Sequence, residues 1–250
     1  MTGILYLIPN TLGVVDADQA NPLAQIIPTQ VQAIAAGLDY FIAENAKATR
    51  VFLKLIATTH SLAKPLQEIR ISELNVNTEA GTLPALLSPL LAGQDAGLIS
   101  DAGVPAVADP GANLVRLAHE RNIPVKPLVG PSSLLLAIMA SGLNGQSFAF
   151  NGYLPTDTAQ RAKRIKQLEE RSRQEKQTQL FIETPYRNAA LLEALVAHSH
   201  AQTLLCIATD LTLVSESIRT QTTAKWKAEL AAGKAPDFHK KPTVFLLLAA

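Results

Sequence analysis

The sequence predicts an α/β protein of two domains, with a mostly parallel N-terminal sheet and a mixed C-terminal sheet. Three observations predict it. Short apolar runs alternate with amphipathic stretches from Ile4 onward, in the strand-helix order of wound α/β folds. The alternation restarts after Ile123-Pro124-Val125-Lys126-Pro127-Leu128. Beyond that point extended runs lie next to one another, as in a mixed sheet. The chain has 250 residues, 48% hydrophobic and 17% charged, enough to bury cores in one large or two modest domains.

Taken in order, Ile4 to Ile8 reads as a strand, Thr29 to Ala36 as a helix, Tyr40 to Ala43 as a strand and Ala46 to Ala57 as a helix. The apolar run Ala96 to Ser100 precedes an amphipathic segment ending at Glu120. A boundary near Arg121 to Pro127 divides residues 1–123 from 124–250. In the second half Ser132 to Ala140 and Asn188 to His198 read as helices, as does Thr223 to Ala232. Phe148 to Phe150, Leu180 to Glu183, Thr203 to Ala208, Ser215 to Thr220 and Thr243 to Leu248 read as strands. The long polar segment Thr158 to Gln179 is preceded by Asp157, which with Gln160 has the spacing of a capping box. Arg161, Lys163, Arg164, Lys166, Arg171, Arg173 and Lys176 could meet phosphates there. Glu169, Glu170 and Glu175 dilute that charge, and a solvated face is the plainer reading.

The most informative stretch runs from Leu98 to Gly111, where an apolar strand stops at Ser100-Asp101-Ala102-Gly103 and the chain restarts at Asp109-Pro110-Gly111. Gly103 and Gly111 permit backbone angles that other residues resist, and Pro105 and Pro110 stiffen the loop. Asp109 is placed to cap the following helix, with Pro110 at its first position. Gly130-Pro131-Ser132-Ser133 likewise follows an extended run and opens an apolar helix, so its amides suit a carboxylate or a ribose, or simply a helix cap. Glu183 ends a strand and is followed by Tyr186 and Arg187, where α/β proteins bind ligands; a structural Glu-Arg pair explains it equally well.

Several classes are excluded or disfavoured. There is no Walker loop, no Gly-x-Gly-x-x-Gly, no zinc-type cysteine pairs and no Gly-x-Ser-x-Gly elbow. His198 and His200 read as a solvated helix end, and Asp16-Ala17-Asp18 as turn chemistry, so no metal is expected. A single cysteine, Cys206, excludes an intramolecular disulfide, and no apolar run reaches the length of a membrane span. With no secretory leader in the first thirty residues, a cytoplasmic location follows as the expectation. The net charge of +1 neither argues for nucleic acid nor rules it out.

In order, these segments resemble the tetrapyrrole methylase-like (class III) S-adenosylmethionine-dependent methyltransferases, closest to the bacterial 16S rRNA cytidine-2′-O-methyltransferase branch. The branch's Ser-Asp-Ala-Gly-Thr-Pro and Asp-Pro-Gly resemble Ser100 to Pro105 and Asp109 to Gly111. Its Pro-Gly-Pro resembles Val129-Gly130-Pro131, and its Gly-Phe-Leu-Pro resembles Gly152-Tyr153-Leu154-Pro155. Its Phe-Tyr-Glu-x-x-His-Arg is similar to Phe181 through Arg187, with Tyr186 for histidine, and its Glu-Leu-Thr to Asp210-Leu211-Thr212. The departures cluster early. Pro-Thr-Pro-Ile-Gly-Asn becomes Pro9-Asn10-Thr11-Leu12-Gly13-Val14, and Ala-Glu-Asp-Thr-Arg becomes Ala43-Glu44-Asn45-Ala46-Lys47.

The resemblance implies a two-domain fold with S-adenosylmethionine in the interdomain cleft, leaving S-adenosylhomocysteine as product, and no metal. It places Ser100, Asp101, Ala102, Gly103, Val104 and Pro105, with Gly130, Pro131, Ser132 and Ser133, against the cofactor. Carbonyls would face the sulfonium and amides the methionine carboxylate. Ile182 and Ala208 would wall the adenine. Asp101, Glu44 and Glu183 are the carboxylates placed to act as a general base. A homodimer acting on rRNA is implied first. A tetrapyrrole or other small-molecule acceptor is the alternative, and a cofactor-binding protein without catalysis is the third reading.

Overall fold

The computed structural model describes residues 1–15 and 22–250, so the Asp16-Ala17-Asp18 turn lies outside the described residues. The chain forms two compact units, Met1–Ser132 and Ser133–Ala250.

The first unit contains β1 (Leu5–Ile8), α1 (Thr29–Ala36), β2 (Tyr40–Ala43), α2 (Ala46–Ile56) and β3 (Arg70–Glu73). The short helices α3 (Leu83–Leu86) and α4 (Ser88–Leu91) follow, then β4 (Ala96–Ile99), α5 (Gly111–Glu120) and β5 (Val125–Pro127). Its five strands are all parallel, in the order β3-β2-β4-β1-β5. β2 and β4 are buried along their whole length, which is why they read as continuous apolar runs. One core layer gathers Phe41, Phe52, Leu53 and Ile56 with α1; the opposite layer holds Leu5, Tyr40, Leu98 and Leu114. β5 lies inside the segment where the sequence suggests a boundary, and its pairing with β1 makes it the last strand of the first sheet. β3, α3 and α4 lie in text too polar or too short for periodicity to reveal them.

The order places β4 between β2 and β1. From β1 the chain winds toward β2 and β3, and from β4 it crosses β1 to reach β5. The winding direction therefore reverses between β1 and β4, and the carboxyl ends of those strands form the crevice where open parallel sheets bind ligands.

The second unit contains α6 (Ser133–Ser141), β6 (Phe148–Tyr153), α7 (Thr158–Glu175), β7 (Thr178–Ile182) and α8 (Asn188–His198). It continues with β8 (Leu204–Thr209), β9 (Ser217–Thr222), α9 (Thr223–Ala231) and β10 (Thr243–Leu248). The sheet order is β6-β7-β10-β8-β9; β6 and β7 are parallel and the other pairs antiparallel, so the sheet is mixed, as the sequence predicts. Phe181, Phe245, Ile207 and Trp226 pack with α7 and α8 into a single core. Trp226 donates its indole N–H to the Leu205 carbonyl at 2.8 Å, satisfying its one buried polar atom. Asp157 caps α7 by accepting from the Gln160 N–H at 2.8 Å.

Candidate active site

The first unit brings its candidate site residues together at the β1–β4 reversal. Asn10 follows β1, Glu44 follows β2, Glu73 ends β3, and Ser100 with Asp101 follow β4. The parallel register aligns Ile8 and Ala43 with Ile99, and Ala43 with Glu73, so these four carboxyl ends share one edge of the sheet.

Asn10 is the residue that organises the edge. It is buried, and its Nδ2 donates to the carbonyls of both Ser100 and Asp101 at 3.1 Å. Its backbone N–H donates to the Gly103 carbonyl at 2.8 Å, and its Oδ1 accepts from the Thr11 N–H. Ser100 Oγ in turn donates to the Ala102 carbonyl. The carbonyls of Ser100 to Gly103, expected to face a sulfonium, are thus each engaged inside the protein. These hydrogen bonds fix the loop.

The carboxylates divide the work. Glu44 Oε2 accepts from the Asp101 N–H at 3.1 Å, while Glu73 Oε1 accepts from the Ala46 N–H at the start of α2. Partial burial, reinforced by the negative charges of Glu44 and Glu73, raises the Asp101 carboxyl above the ordinary range. Asp101 also lines a cavity of about 450 Å³. The other walls come from Asn10 to Val15 and from Ala48, Val51, Phe52 and Leu55 of α2. Its size falls in the range of small-molecule sites, its walls are largely apolar, and Asp101 is the one charged group lining it among the described residues. Such a cavity favours a neutral or cationic group at the Asp101 end and disfavours a phosphate there.

Of the two early departures from the resembled motifs, the first contributes directly to the cavity wall and the second starts the helix α2 that forms another part of it. Asn45 is the N-cap of α2, its Oδ1 accepting from the N–H groups of Lys47 and Ala48. Capping needs only an acceptor, so asparagine fulfils it as aspartate would. Asn10, Leu12 and Val14 line the cavity directly.

Two expectations about the loop change in detail. Asp109 braces rather than caps in the ordinary sense: its carboxylate accepts from Gly111 N–H at 2.7 Å and Ala106 N–H at 2.8 Å, and Pro110 is the N-cap residue instead of the first helical one. Burial raises the Asp109 carboxyl, opposed by those two hydrogen bonds. Second, Gly130 leaves room for protein rather than for ligand. A Cβ there would stand 2.3 Å from the Pro9 ring, and one on Gly103, which has φ +67°, would meet Leu12 at 3.1 Å. The two glycines allow the loops after β1, β4 and β5 to touch. Val104 and Pro105 continue the same loop, and Pro131 reaches it through its carbonyl, 3.4 Å from that Gly103 position. Ser132 closes the unit.

The second unit carries the remaining predicted residues. Ser133 opens α6. Ile182 and Ala208 both pair with Val244 of β10, so they lie in one row across the sheet. Glu183 is buried and its Oε1 accepts from Arg187 Nη2 at 2.6 Å, from Arg187 Nε at 3.0 Å and from the Thr184 N–H at 2.7 Å. The structural Glu-Arg pair is therefore present, while Glu183 Oε2 is buried with no partner among the described residues. Tyr186, in the place of the resembled histidine, is exposed. Asp210 and Thr212 hold left-handed backbone angles, φ +51° and +72°, in a turn braced by Ser215 and Glu216. Among the described residues no three His, Cys, Asp or Glu side chains form a metal-binding group, and no helix is long and apolar enough to cross a membrane.

The chain matches the family model of tetrapyrrole (corrin/porphyrin) methylases over residues 27–226. It is 34% identical over 93% of its length to a ribosomal RNA small subunit methyltransferase I of Mesorhizobium japonicum, covering 71% of that protein. It is 31% identical over 86% of its length to the protein of the same name in Escherichia coli O157:H7, covering 68% of it. Among solved structures it resembles the methyltransferase CobJ, with a TM-score of 0.62 at 15% identity over 100% of this chain and 95% of that one. A uroporphyrin-III C-methyl transferase from Thermus thermophilus, complexed with S-adenyl homocysteine, gives a TM-score of 0.56 at 14% identity, covering 98% and 97% of the two chains.

Proposed function

This chain belongs to the tetrapyrrole (corrin/porphyrin) methylase family, and from that premise we propose that it transfers a methyl group from S-adenosylmethionine to small-subunit ribosomal RNA. The observation that carries the acceptor is the 28–34% identity to ribosomal RNA small subunit methyltransferases I, extending over 77–99% of the chain. On the same reading we propose a cytoplasmic location, with which a single, buried free cysteine is in keeping.

S-adenosylmethionine supplies an electrophilic methyl on a sulfonium, and this chain's residues supply position and a proton acceptor. The residues of the first unit fit that group: loops brought into contact by Gly103 and Gly130, apolar walls, and three carboxylates, Glu44, Glu73 and Asp101, whose field favours a cation. Ser100 to Pro105 and Gly130 to Pro131, with Ser132 of the same unit, are assigned to hold it. Of the three candidate bases, Asp101 is the one we assign. Glu44 is committed to the Asp101 N–H and Glu183 to Arg187, whereas the Asp101 carboxylate accepts no hydrogen bond among the described residues and lines the cavity. Its raised carboxyl suits it to take a proton from an acceptor hydroxyl as the methyl is transferred.

A small-molecule acceptor is the second reading, favoured by the apolar walls and by the lack of a cation lining the cavity among the described residues. Calorimetric titration with S-adenosylmethionine, followed by methyl-transfer assays on small-subunit rRNA and on tetrapyrroles, separates the two. Micromolar cofactor binding with labelled rRNA supports the proposal. Labelled tetrapyrrole alone would move the acceptor to the second reading, and cofactor binding with neither product would leave a binding protein without catalysis. The assembly we propose is a homodimer, supported by Leu135 and Met139 of α6, 56% and 80% exposed on an apolar helix.

A further inference from the structure

The charge of this chain is unevenly distributed. Residues 158–176, α7 and its terminal Lys176, contain seven of the chain's 22 basic residues and three of its 21 acidic ones. These residues therefore carry +4 in a chain of net charge +1, and the remainder is net negative.

Folding sharpens the asymmetry. Glu169 turns inward, its carboxylate buried and accepting from the His200 N–H and the Thr203 hydroxyl. The two acids left on the surface, Glu170 and Glu175, are paired within the helix to Arg173 and Arg171. Lys163, Lys166 and Lys176 are exposed and have no acidic partner within ion-pair distance among the described residues. Lys163 and Lys166 are three residues apart, roughly 4.5 Å along the helix axis and on one face. On the flank, Arg164 donates to Asn151 of β6, an edge strand, and Tyr153 is 57% exposed two residues further along it.

A solvated helix usually balances its charges in pairs. Here the pairs are satisfied and three ammonium groups are left over, two of them, Lys163 and Lys166, at the end of α7 that Arg164 ties to β6, whose exposed Tyr153 ring offers a stacking platform. We propose that the exposed face of α7 carrying Lys163 and Lys166, flanked by Tyr153, is a docking surface for the phosphate backbone of RNA. The proposal rests on the rRNA reading above and adds to it a surface outside the cavity, which among the described residues offers no cation to a phosphate.

The test measures binding of a 16S rRNA transcript and of small ribosomal subunits as salt is varied, for the wild type, K163E/K166E, K163Q/K166Q and a control, K225E/K227E, on the exposed face of α9. Cofactor titration and thermal melting are run on every variant. The expected result is at least a tenfold loss of RNA affinity for K163E/K166E. The slope of log affinity against log salt should become shallower by about two. K163Q/K166Q should lose less, and the control and all cofactor affinities should stay near wild type. Equal affinity and slope in the α7 variants, in a protein that binds and methylates rRNA, would overturn the surface alone. An equal loss in the control would also overturn it, because net charge rather than place would then be responsible. A wild type that binds cofactor but no RNA would overturn the rRNA reading together with this surface.

Discussion

The Asp101 N–H donates to Glu44 Oε2 at 3.1 Å, so one carboxylate fixes the backbone that carries another. This arrangement holds two like charges close together; partial burial first, then Glu44 and Glu73, raise the Asp101 carboxyl, which lines the cavity. The division of labour makes the two residues separable by mutation.

Asp101→Asn should lower kcat by about 10²–10⁴-fold, the usual contribution of a general base, with a much smaller change in cofactor affinity. The sign of the pH dependence follows from the raised carboxyl. A base must be deprotonated, so wild-type activity should fall as pH drops through the Asp101 titration and level off above it. The asparagine variant should lose that acid limb. Full kcat in Asp101→Asn, measured with saturating cofactor, would remove the residue from the chemistry.

Asn10→Ala should loosen the loop that it staples. The substitution deletes two side-chain donations to the Ser100 and Asp101 carbonyls while the backbone bond to Gly103 persists. With the lost acceptor for the Thr11 N–H, three hydrogen bonds at about 1 kcal/mol each predict a fall of about 3 kcal/mol in stability. Cofactor affinity, read by calorimetry, should fall as well; unchanged affinity would mean that the loop does not contact the cofactor.

Gly130→Ala should destabilise the first unit rather than act on the ligand directly. Its Cβ would stand 2.3 Å from the Pro9 ring, which cannot rotate away as a flexible side chain would. Overpacking of this kind costs about 1–3 kcal/mol. A melting temperature equal to wild type would show that the loops after β1 and β5 can separate freely.

Asn45→Ala should cost about 1 kcal/mol through loss of the α2 cap, whereas Asn45→Asp should stay within about 0.5 kcal/mol of wild type. The aspartate keeps the acceptor for the Lys47 and Ala48 N–H groups but adds a charge next to Glu44 and near Glu73. Comparison of the two by chemical denaturation separates capping from catalysis. Parallel losses in both variants would show that Asn45 matters for something other than its cap.

Met139→Glu should favour a monomer if α6 joins two copies, because burying an unpaired carboxylate in an apolar contact is costly. Sedimentation equilibrium reads this directly. A wild type that sediments as a monomer would refute the homodimer before any variant is made.

Most of the secondary structure was legible because it depends on local pattern. β2 and β4 are buried on both faces and read as unbroken apolar runs; α1 and α8 have the residue bounds that their periodicity implies. β3 was not legible, since Arg70–Glu73 is a four-residue edge strand with both ends exposed, and β5 is three residues whose only distinction is a partner in β1. The small-residue loop after β4 stood out from its Gly and Pro residues. Asn10, by contrast, is an ordinary polar residue whose role exists only once Ser100 and Asp101 are brought to it from about ninety positions away.

By itself the sequence determined the fold class, the family and the place of the loops, because apolar periodicity, turn residues and ordered motifs are properties of neighbouring residues. Only the tertiary structure decided which carboxylate is free and which is committed. Glu44, Asp101 and Glu183 look alike in one dimension. In three, Glu44 is held by a backbone N–H, Glu183 by a guanidinium, and Asp101 by neither. The availability of a charged group depends on what else lies within hydrogen-bond reach, and that is set by the packing of distant segments.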